Sequence, residues 1–321
     1  MKKSLVLLSI LLAGLVGPAS NAQTNPLWHE QKVKNYLPHM TVPEVRELLT
    51  KSDMVIIPVA ALEQHGLHLP IGTDYLNGVE RAKLVAQKTD ILVAPVLLVG
   101  QSPFHLDFPG TISLKAETIV QVHLEAVQSL LRHGFKRFLI LNAHGGNRAI
   151  CTYLVDRINQ ETAGIAVEVG EAIAAFRKTV PAPATPAKTT ANATEKVNIR
   201  AKVFDRHAGV GETSSSLYLT PNLVQMDRAE TAKLTMPKHM DAMVPEVLDG
   251  DPATLLVFLA EGLKAKETGK KTSAAEMSTT GVWGIGDLTT ASSEKGRIET
   301  ERFVEAAVAF IEKWKALRPK N

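Results

Sequence analysis

Twelve consecutive residues carry the densest chemistry in this 321-residue chain: Glu63-Gln64-His65-Gly66-Leu67-His68-Leu69-Pro70-Ile71-Gly72-Thr73-Asp74. They follow directly on an apolar run, residues 54–60 (MVIIPVA), which reads as a buried strand. Side chains alternate along extended chain, so Glu63 and His65 point to the same side. A carboxylate and an imidazole converging at the carboxyl end of a strand suit a divalent transition metal. Pro70 and Gly72 turn the chain, so Asp74 can swing back to the same point, where its two oxygens could bridge two ions. A loop that is merely polar is the rival reading. Four potential ligands beside a core strand, with little else polar to do, weigh against it.

A second cluster, Asn142-Ala143-His144-Gly145-Gly146-Asn147, again ends an apolar run and opens a helical pattern. Ligands of open α/β sheets gather at that edge. Gly145 and Gly146 let the backbone come close to whatever His144 holds, and expose helix N-terminal N–H groups. The third cluster is His207-Ala208-Gly209-Val210-Gly211-Glu212-Thr213-Ser214. Glu212 is a further candidate ligand, and its charge suits the first turn of the helix that follows. His207 has no neighbouring nucleophile to activate, so its candidate role is proton transfer, with a structural role equally open.

Other residues are weaker candidates. Cys151 lies in a helical pattern with no histidine adjacent in sequence, and reads as a small buried hydrophobe. His105 is either a pocket wall or a satisfied loop histidine. His68 and Asn147 join the pocket through their neighbours. His29, His39, His123, His133 and His239 read as surface or cap residues.

The elements that must position these clusters are legible in the hydrophobic pattern. Residues 54–60, 91–96, 138–141 and 165–169 are apolar on both faces and suit strands covered on each side by helices. Helical patterns span 75–88, 116–132 (closed by His133-Gly134), 147–160, 253–266 and 299–317. This alternation predicts an α/β fold, a three-layer αβα domain with a mostly parallel central sheet. Residues 180–196 (VPAPATPAKTTANATEK) have little to bury and predict a flexible loop at about 180–198, with a mobile lid as the alternative.

Composition narrows the function classes. Lys plus Arg number 36 and Asp plus Glu 33, a surplus of +3 that is too small to suggest a nucleic-acid binder. Aromatics at 5% make base-stacking platforms a poor expectation, and a single cysteine excludes a disulfide scaffold. The basic start Met1-Lys2-Lys3, the apolar run 5–16 and the small residues Ala19-Ser20-Asn21-Ala22 have the three-part layout of a secretory signal. Residues 1–22 are therefore expected to be a signal peptide and 23–321 one domain, exported to a bacterial periplasm or secreted, with no membrane association after cleavage.

The three clusters, in this order, resemble the creatininase (creatinine amidohydrolase-like) family. The matching residues are Glu63, His65, Gly66, His68, Leu69, Pro70, Thr73 and Asp74, then His144-Gly145-Gly146-Asn147, then His207-Ala208-Gly209 with Glu212-Thr213-Ser214. Phe108-Pro109-Gly110-Thr111 and Glu294-Lys295-Gly296-Arg297 also fit, so the resemblance runs from about residue 40 to about 317. It implies a creatininase-like three-layer fold holding two divalent ions, zinc and/or manganese with iron as a third option, and hydrolysis of an amide-type C–N bond. It places Glu63, His65, Asp74 and His144 on ligand positions, Asp74 on the bridging one, and His207 on that of a proton-transferring histidine. It also implies a homo-oligomer, a hexamer in many members.

Two departures bear on substrate. Gly146 stands where creatininase itself has a further ligand glutamate, which leaves Glu212 to complete the second site. Val203 stands where creatininase has a tryptophan, so the expected substrate is a small amide, cyclic or not, other than creatinine. The resulting expectation is an exported metal-dependent amidohydrolase acting on C–N bonds other than peptide bonds. The alternative is a periplasmic metal- or small-ligand-binding protein without turnover.

Overall fold

The computed structural model describes residues 25, 30–97, 99–177, 205–231, 238–249, 251–262, 274–284 and 286–319. The expected signal peptide (1–22), the expected loop (180–198) and Val203 lie outside the described residues. The chain divides into a short unit, Met1–Lys32, and one large body, Val33–Asn321. All that follows concerns the large body.

Its elements run α1 (Val42–Lys51), β1 (Met54–Val59), α2 (Thr73–Lys88), β2 (Leu92–Val93), α3 (Ala116–Arg132), β3 (Arg137–Asn142), α4 (Arg148–Glu161), β4 (Ile165–Glu168) and α5 (Val169–Arg177). There follow β5 (Asp205–His207), α6 (Val210–Leu219), α7 (Val244–Leu248), α8 (Pro252–Gly262), α9 (Ala274–Met277), β6 (Trp283–Gly284) and α10 (Ser293–Leu317). The first four strands form one parallel sheet in the order β2-β1-β3-β4.

The alternation of side chains along β1 and β3 builds the three layers. Val55, Ile57 and Val59 of β1, with Phe138 and Ile140 of β3, pack on one side against Leu48 of α1, Ile119 and Val127 of α3, and Leu154 of α4. Met54, Ile56, Leu139 and Leu141 face the other way, onto Val79 and Ala82 of α2, Ile173 of α5 and Val304 of α10. The expected three-layer αβα fold is what the structure shows. Cys151 lies on the first of these faces, fully buried, and burial pushes its thiol up to about 12, which leaves it inert as a nucleophile.

Several boundaries differ from expectation. The second strand is only Leu92–Val93 rather than 91–96; Pro95 follows closely and has no N–H to give a ladder. The helix expected from 299 begins at Ser293, because the Ser292 side chain caps it by accepting the Lys295 N–H. A second small sheet, β5 antiparallel to β6, pairs His207 with Trp283 and was not foreseen. His123 is a core residue, 1% exposed, rather than a surface one; it fills the buried face of α3 with Nδ1 donating to the Ile119 carbonyl. No helix among the described residues is long and apolar enough to cross a membrane.

Candidate metal centre

The register of the sheet brings the first two clusters together. Val59 and Asn142, the last residues of β1 and β3, are paired, and the Ala143 N–H donates to the Val59 carbonyl at 2.9 Å. The two chains therefore leave the carboxyl edge side by side, one toward Glu63 and the other toward His144. The first turn of α2 supplies Asp74. The third cluster arrives through β5 and the turn at Ala208, whose φ of 52 is in the left-handed region. That turn faces His207 and, one helical turn on, Glu212 toward the same point.

The donor atoms then form two triads that share one carboxylate. Glu63, Asp74 and His144 present ligand atoms within 4.8 Å of one another, and so do His65, Asp74 and Glu212. His144 Nδ1 lies 3.0 Å from Asp74 Oδ2 and 3.3 Å from Glu63 Oε1. His65 Nε2 lies 3.3 Å from Asp74 Oδ1 and 3.7 Å from Glu212 Oε2. Each oxygen of Asp74 thus faces a different triad. Glu63, His65 and His207 make a third group within the same span.

Hydrogen bonds outside the cluster fix which nitrogen each imidazole offers. His65 Nδ1 donates to the Glu63 carbonyl (3.0 Å), His144 Nε2 to the Gln101 carbonyl (3.0 Å) and His207 Nε2 to the Gln64 carbonyl (2.6 Å). Each ring therefore turns its other nitrogen toward the carboxylates. A backbone carbonyl orienting the far nitrogen is the usual support of a metal-bound histidine. Glu63 Oε2, Asp74 Oδ2 and His65 Nε2 are buried and make no hydrogen bond. Buried polar atoms without partners are costly, and a cation between them removes that cost. The residues present therefore fit a pair of divalent ions.

The electrostatics agree. Burial opposes ionisation of Glu63, but His144, His207 and His105 around it hold the carboxyl well below the usual range. Burial likewise opposes a charge on His65 and His144, yet the facing carboxylates raise them to about 10 and about 11. In the absence of a cation, protons on these imidazoles take its place. His207 and His105 go the other way. Burial drives both down, His105 to about 3, so both rings are neutral at pH 7.

Gln64 sets the tautomers of these two rings. Its Nε2 lies 2.8 Å from His105 Nδ1, 3.0 Å from the Gly281 carbonyl and 3.1 Å from His207 Nε2. An amide has two N–H bonds, and His207 Nε2 already donates elsewhere, so they serve His105 Nδ1 and Gly281. His105 then carries its proton on Nε2, and the two rings stack at 4.3 Å.

The centre opens into a cavity of about 690 Å³ lined by Glu63, Asp74, His144 and Glu212, with His105, His207, Gly145 and Gly146 among the other walls. Two expected pocket residues lie elsewhere. His68 is buried behind the site against the Thr213 hydroxyl (2.8 Å), because the turn after His65 carries it off the cavity. Burial, then the charge of His65, push it down to about 4. Asn147 is fully buried as a strut: its amide donates to the Ala60 carbonyl and accepts from the Gln101 N–H, both at 3.0 Å. Gly146 is required by close approach, since a Cβ there would fall on His144 Nε2 and 2.6 Å from the Gln101 oxygen. A side chain at 146 has no room in this backbone, and Glu212 completes the group with His65 and Asp74. Gln64, Arg148, Arg206 and Trp283 were not picked out from sequence. Gln64 alone carried a signal, its place between two candidate ligands.

Comparison with known proteins is consistent with this geometry. A family model described as creatininase, creatinine amidohydrolase, matches residues 38–311. A 3-dehydro-scyllo-inosose hydrolase of Thermotoga maritima is 34% identical over 111 residues, 34% of this chain and 36% of that protein, so the match spans about a third of its length. A creatinine amidohydrolase of Pseudomonas putida is 30% identical over 60% of this chain and 75% of its own. A mycofactocin precursor peptide peptidase of Mycobacterium tuberculosis is 28% identical over 86% and 94%. Among solved structures, a creatinine amidohydrolase superposes with a TM-score of 0.61 at 22% identity, covering 90% of this chain and 99% of that one. A Zn–Zn form of a creatininase variant gives 0.60 at 23%, covering 89% and 99%. A manganese form gives 0.54 at 24%, covering 89% and 100%. At these identities the structures establish the fold.

Proposed function

The chain belongs to the creatininase family of hydrolases, and on that premise we propose that it is an exported, two-metal amidohydrolase of a small, cyclic or open, amide. The observation that carries this reading is the sharing of Asp74 between two ligand triads at the mouth of a cavity. Glu63, Asp74 and His144 would hold one divalent ion, and His65, Asp74 and Glu212 the other. Zinc or manganese, present in the related structures, suits these nitrogen and oxygen donors. When bound, such ions supply Lewis acidity and a water whose pKa falls from 15.7 to roughly 7.

The chain's own residues handle the proton. His207 is neutral, and its Nε2–H is committed to the Gln64 carbonyl, so Nδ1, 3.4 Å from Glu63 Oε1, is the free acceptor. It takes a proton from the attacking water and returns it to the departing nitrogen, a role worth about 10²–10⁴-fold. His105, with its proton on Nε2 and its ring stacked on His207, holds that ring in place and offers a donor to the cavity. A buried neutral imidazole with a free lone pair beside the ligands supports turnover over sequestration, and the metal content of a His207 variant decides between proton transfer and ligation.

The related proteins act on different compounds, so the proposal stops at the amide class. Export is supported by residues 1–22, and intact mass of the protein from a bacterial periplasm should start at Gln23. Self-association is supported by the exposed Leu256 (70%) and Val257 (49%) on α8, and is read by sedimentation. The activity is tested by reconstituting the stripped protein with zinc or manganese and assaying lactams, cyclic ureas and formamides. Turnover that requires the metal supports the reading; a fully loaded protein inert on every member of the panel overturns it.

A further inference from the structure

The walls of the cavity carry a feature that amide hydrolysis does not require. Arg148, the first residue of α4, and Arg206, beside His207 in β5, both line it. Neither has a carboxylate partner among the described residues. The three carboxylates nearby, Glu63, Asp74 and Glu212, are committed to the metal triads. Two divalent cations would more than neutralise those three charges, which leaves the guanidinium groups as surplus positive charge on the exposed walls of a concave site. Such a cavity focuses its field on an anion.

The backbone adds to this. Gly145 and Gly146 line the same wall immediately before α4. Partial positive charge at the amino end of a 14-residue helix also favours an anion. Arg148 stands on one element and Arg206 on another, so a ligand reaching both is gripped from two sides. Guanidinium is the side chain best shaped for an oxyanion, because its fork meets two oxygens at once.

We infer that the amide substrate carries an oxyanion, a carboxylate or a phosphate, and that Arg148 and Arg206 bind it while the scissile bond sits at the metal centre. This rests on the amidohydrolase reading for the identity of the reacting group, but the anion site is a property of the cavity itself. The two arginines are specificity residues and take no part in proton transfer.

The test uses three probes built alike: N-formyl-β-alanine, its uncharged carboxamide, and the O-phosphate of N-formylethanolamine. Affinity for the metal-loaded protein is measured by calorimetry, and turnover in parallel. The expected result is that one anionic probe binds about tenfold or more tighter than the carboxamide, the scale of a charge-assisted hydrogen bond. Which of the two binds tighter tells carboxylate from phosphate. Because any carboxylate can also touch a metal directly, the deciding arm is the Arg148→Gln, Arg206→Gln double variant. It should lose the preference while keeping its metal content and its affinity for the carboxamide, and the Arg148→Lys, Arg206→Lys variant should keep part of it. Equal binding of charged and uncharged probes, or a preference that survives the double glutamine variant, overturns the inference. Binding preference without turnover would count against the amidohydrolase reading and leave the anion site standing.

Discussion

His65 Nε2 and Asp74 Oδ1 face each other at 3.3 Å, both buried, and Nε2 makes no hydrogen bond. The other oxygen of Asp74 stands in the same relation to His144 Nδ1 at 3.0 Å. Groups this close and this poorly hydrogen-bonded are arranged for something between them, and one carboxylate oriented by both halves of the site makes Asp74 the residue on which the two halves depend.

Replacing Asp74 by alanine should therefore empty both halves together. Metal content measured by atomic emission should fall from two per chain toward none, with a loss of activity exceeding the roughly 10–100-fold typical of an outer-shell partner. Cys151→Ala, a small change in the core remote from the donors, should keep metal and turnover and cost about 1 kcal/mol of stability. Equal losses of activity in the two variants would count against a metal mechanism.

His207→Gln separates proton transfer from ligation. The geometry allows either, since His207 Nδ1 falls within reach of Glu63 and His65. The mechanism above expects turnover to fall by about 10²–10⁴-fold while two ions remain bound. A variant that binds fewer ions would reassign His207 as a ligand.

Metal uptake should release protons. In the stripped protein His65 and His144 titrate near 10 and 11: burial alone would lower them, and the carboxylates outweigh it. At pH 7 both are protonated, so loading both sites should expel about two protons per chain. Apparent affinity should rise with pH toward those values. The linkage also has a sign for the stripped fold. Raised imidazole pKa values give a contribution complete below the unfolded value of about 6.5 and lost as pH climbs through 10 and 11. The lowered carboxyls of Glu63 and Asp74 contribute above about 4 and are lost in acid. Calorimetric titration of zinc in phosphate and Tris buffers measures the protons directly, and release near zero at pH 7 would show the imidazoles to be neutral before loading.

Gly146→Ala probes close packing rather than charge. The added methyl falls on His144 Nε2 and the Gln101 oxygen, so the ring must tilt off the bond that orients it. Metal affinity in a competition titration should weaken by about 10–100-fold, with little change in melting temperature. Unaltered affinity would mean that the bond to Gln101 does not set the ring.

Much of this architecture is visible in the chain because its strongest signals are local. β1 and the middle of β3 are buried on both sides, so Met54–Val59 and residues 138–141 are apolar, and Glu63 and His144 emerge beyond their ends. Asp74 was placed by a turn that proline and glycine announce. What stayed hidden depends on contacts distant in sequence. β5 is three residues long and polar, and only pairing with Trp283 makes it a strand. His68 resembled His65 in type and spacing, yet the turn between them buries it against Thr213. Asn147 looked like a pocket residue until its amide was found spanning Ala60 and Gln101. Gln64 acts through partners 41 and 143 positions away, which no periodicity reveals.

The most direct measurement is anomalous scattering from crystals of the zinc- or manganese-loaded protein, collected on both sides of the metal absorption edge. The account predicts two peaks, one touched by Glu63, Asp74 and His144 and the other by His65, Asp74 and Glu212, with a different oxygen of Asp74 on each. A single peak, or an Asp74 carboxylate that contacts only one ion or neither, would contradict it.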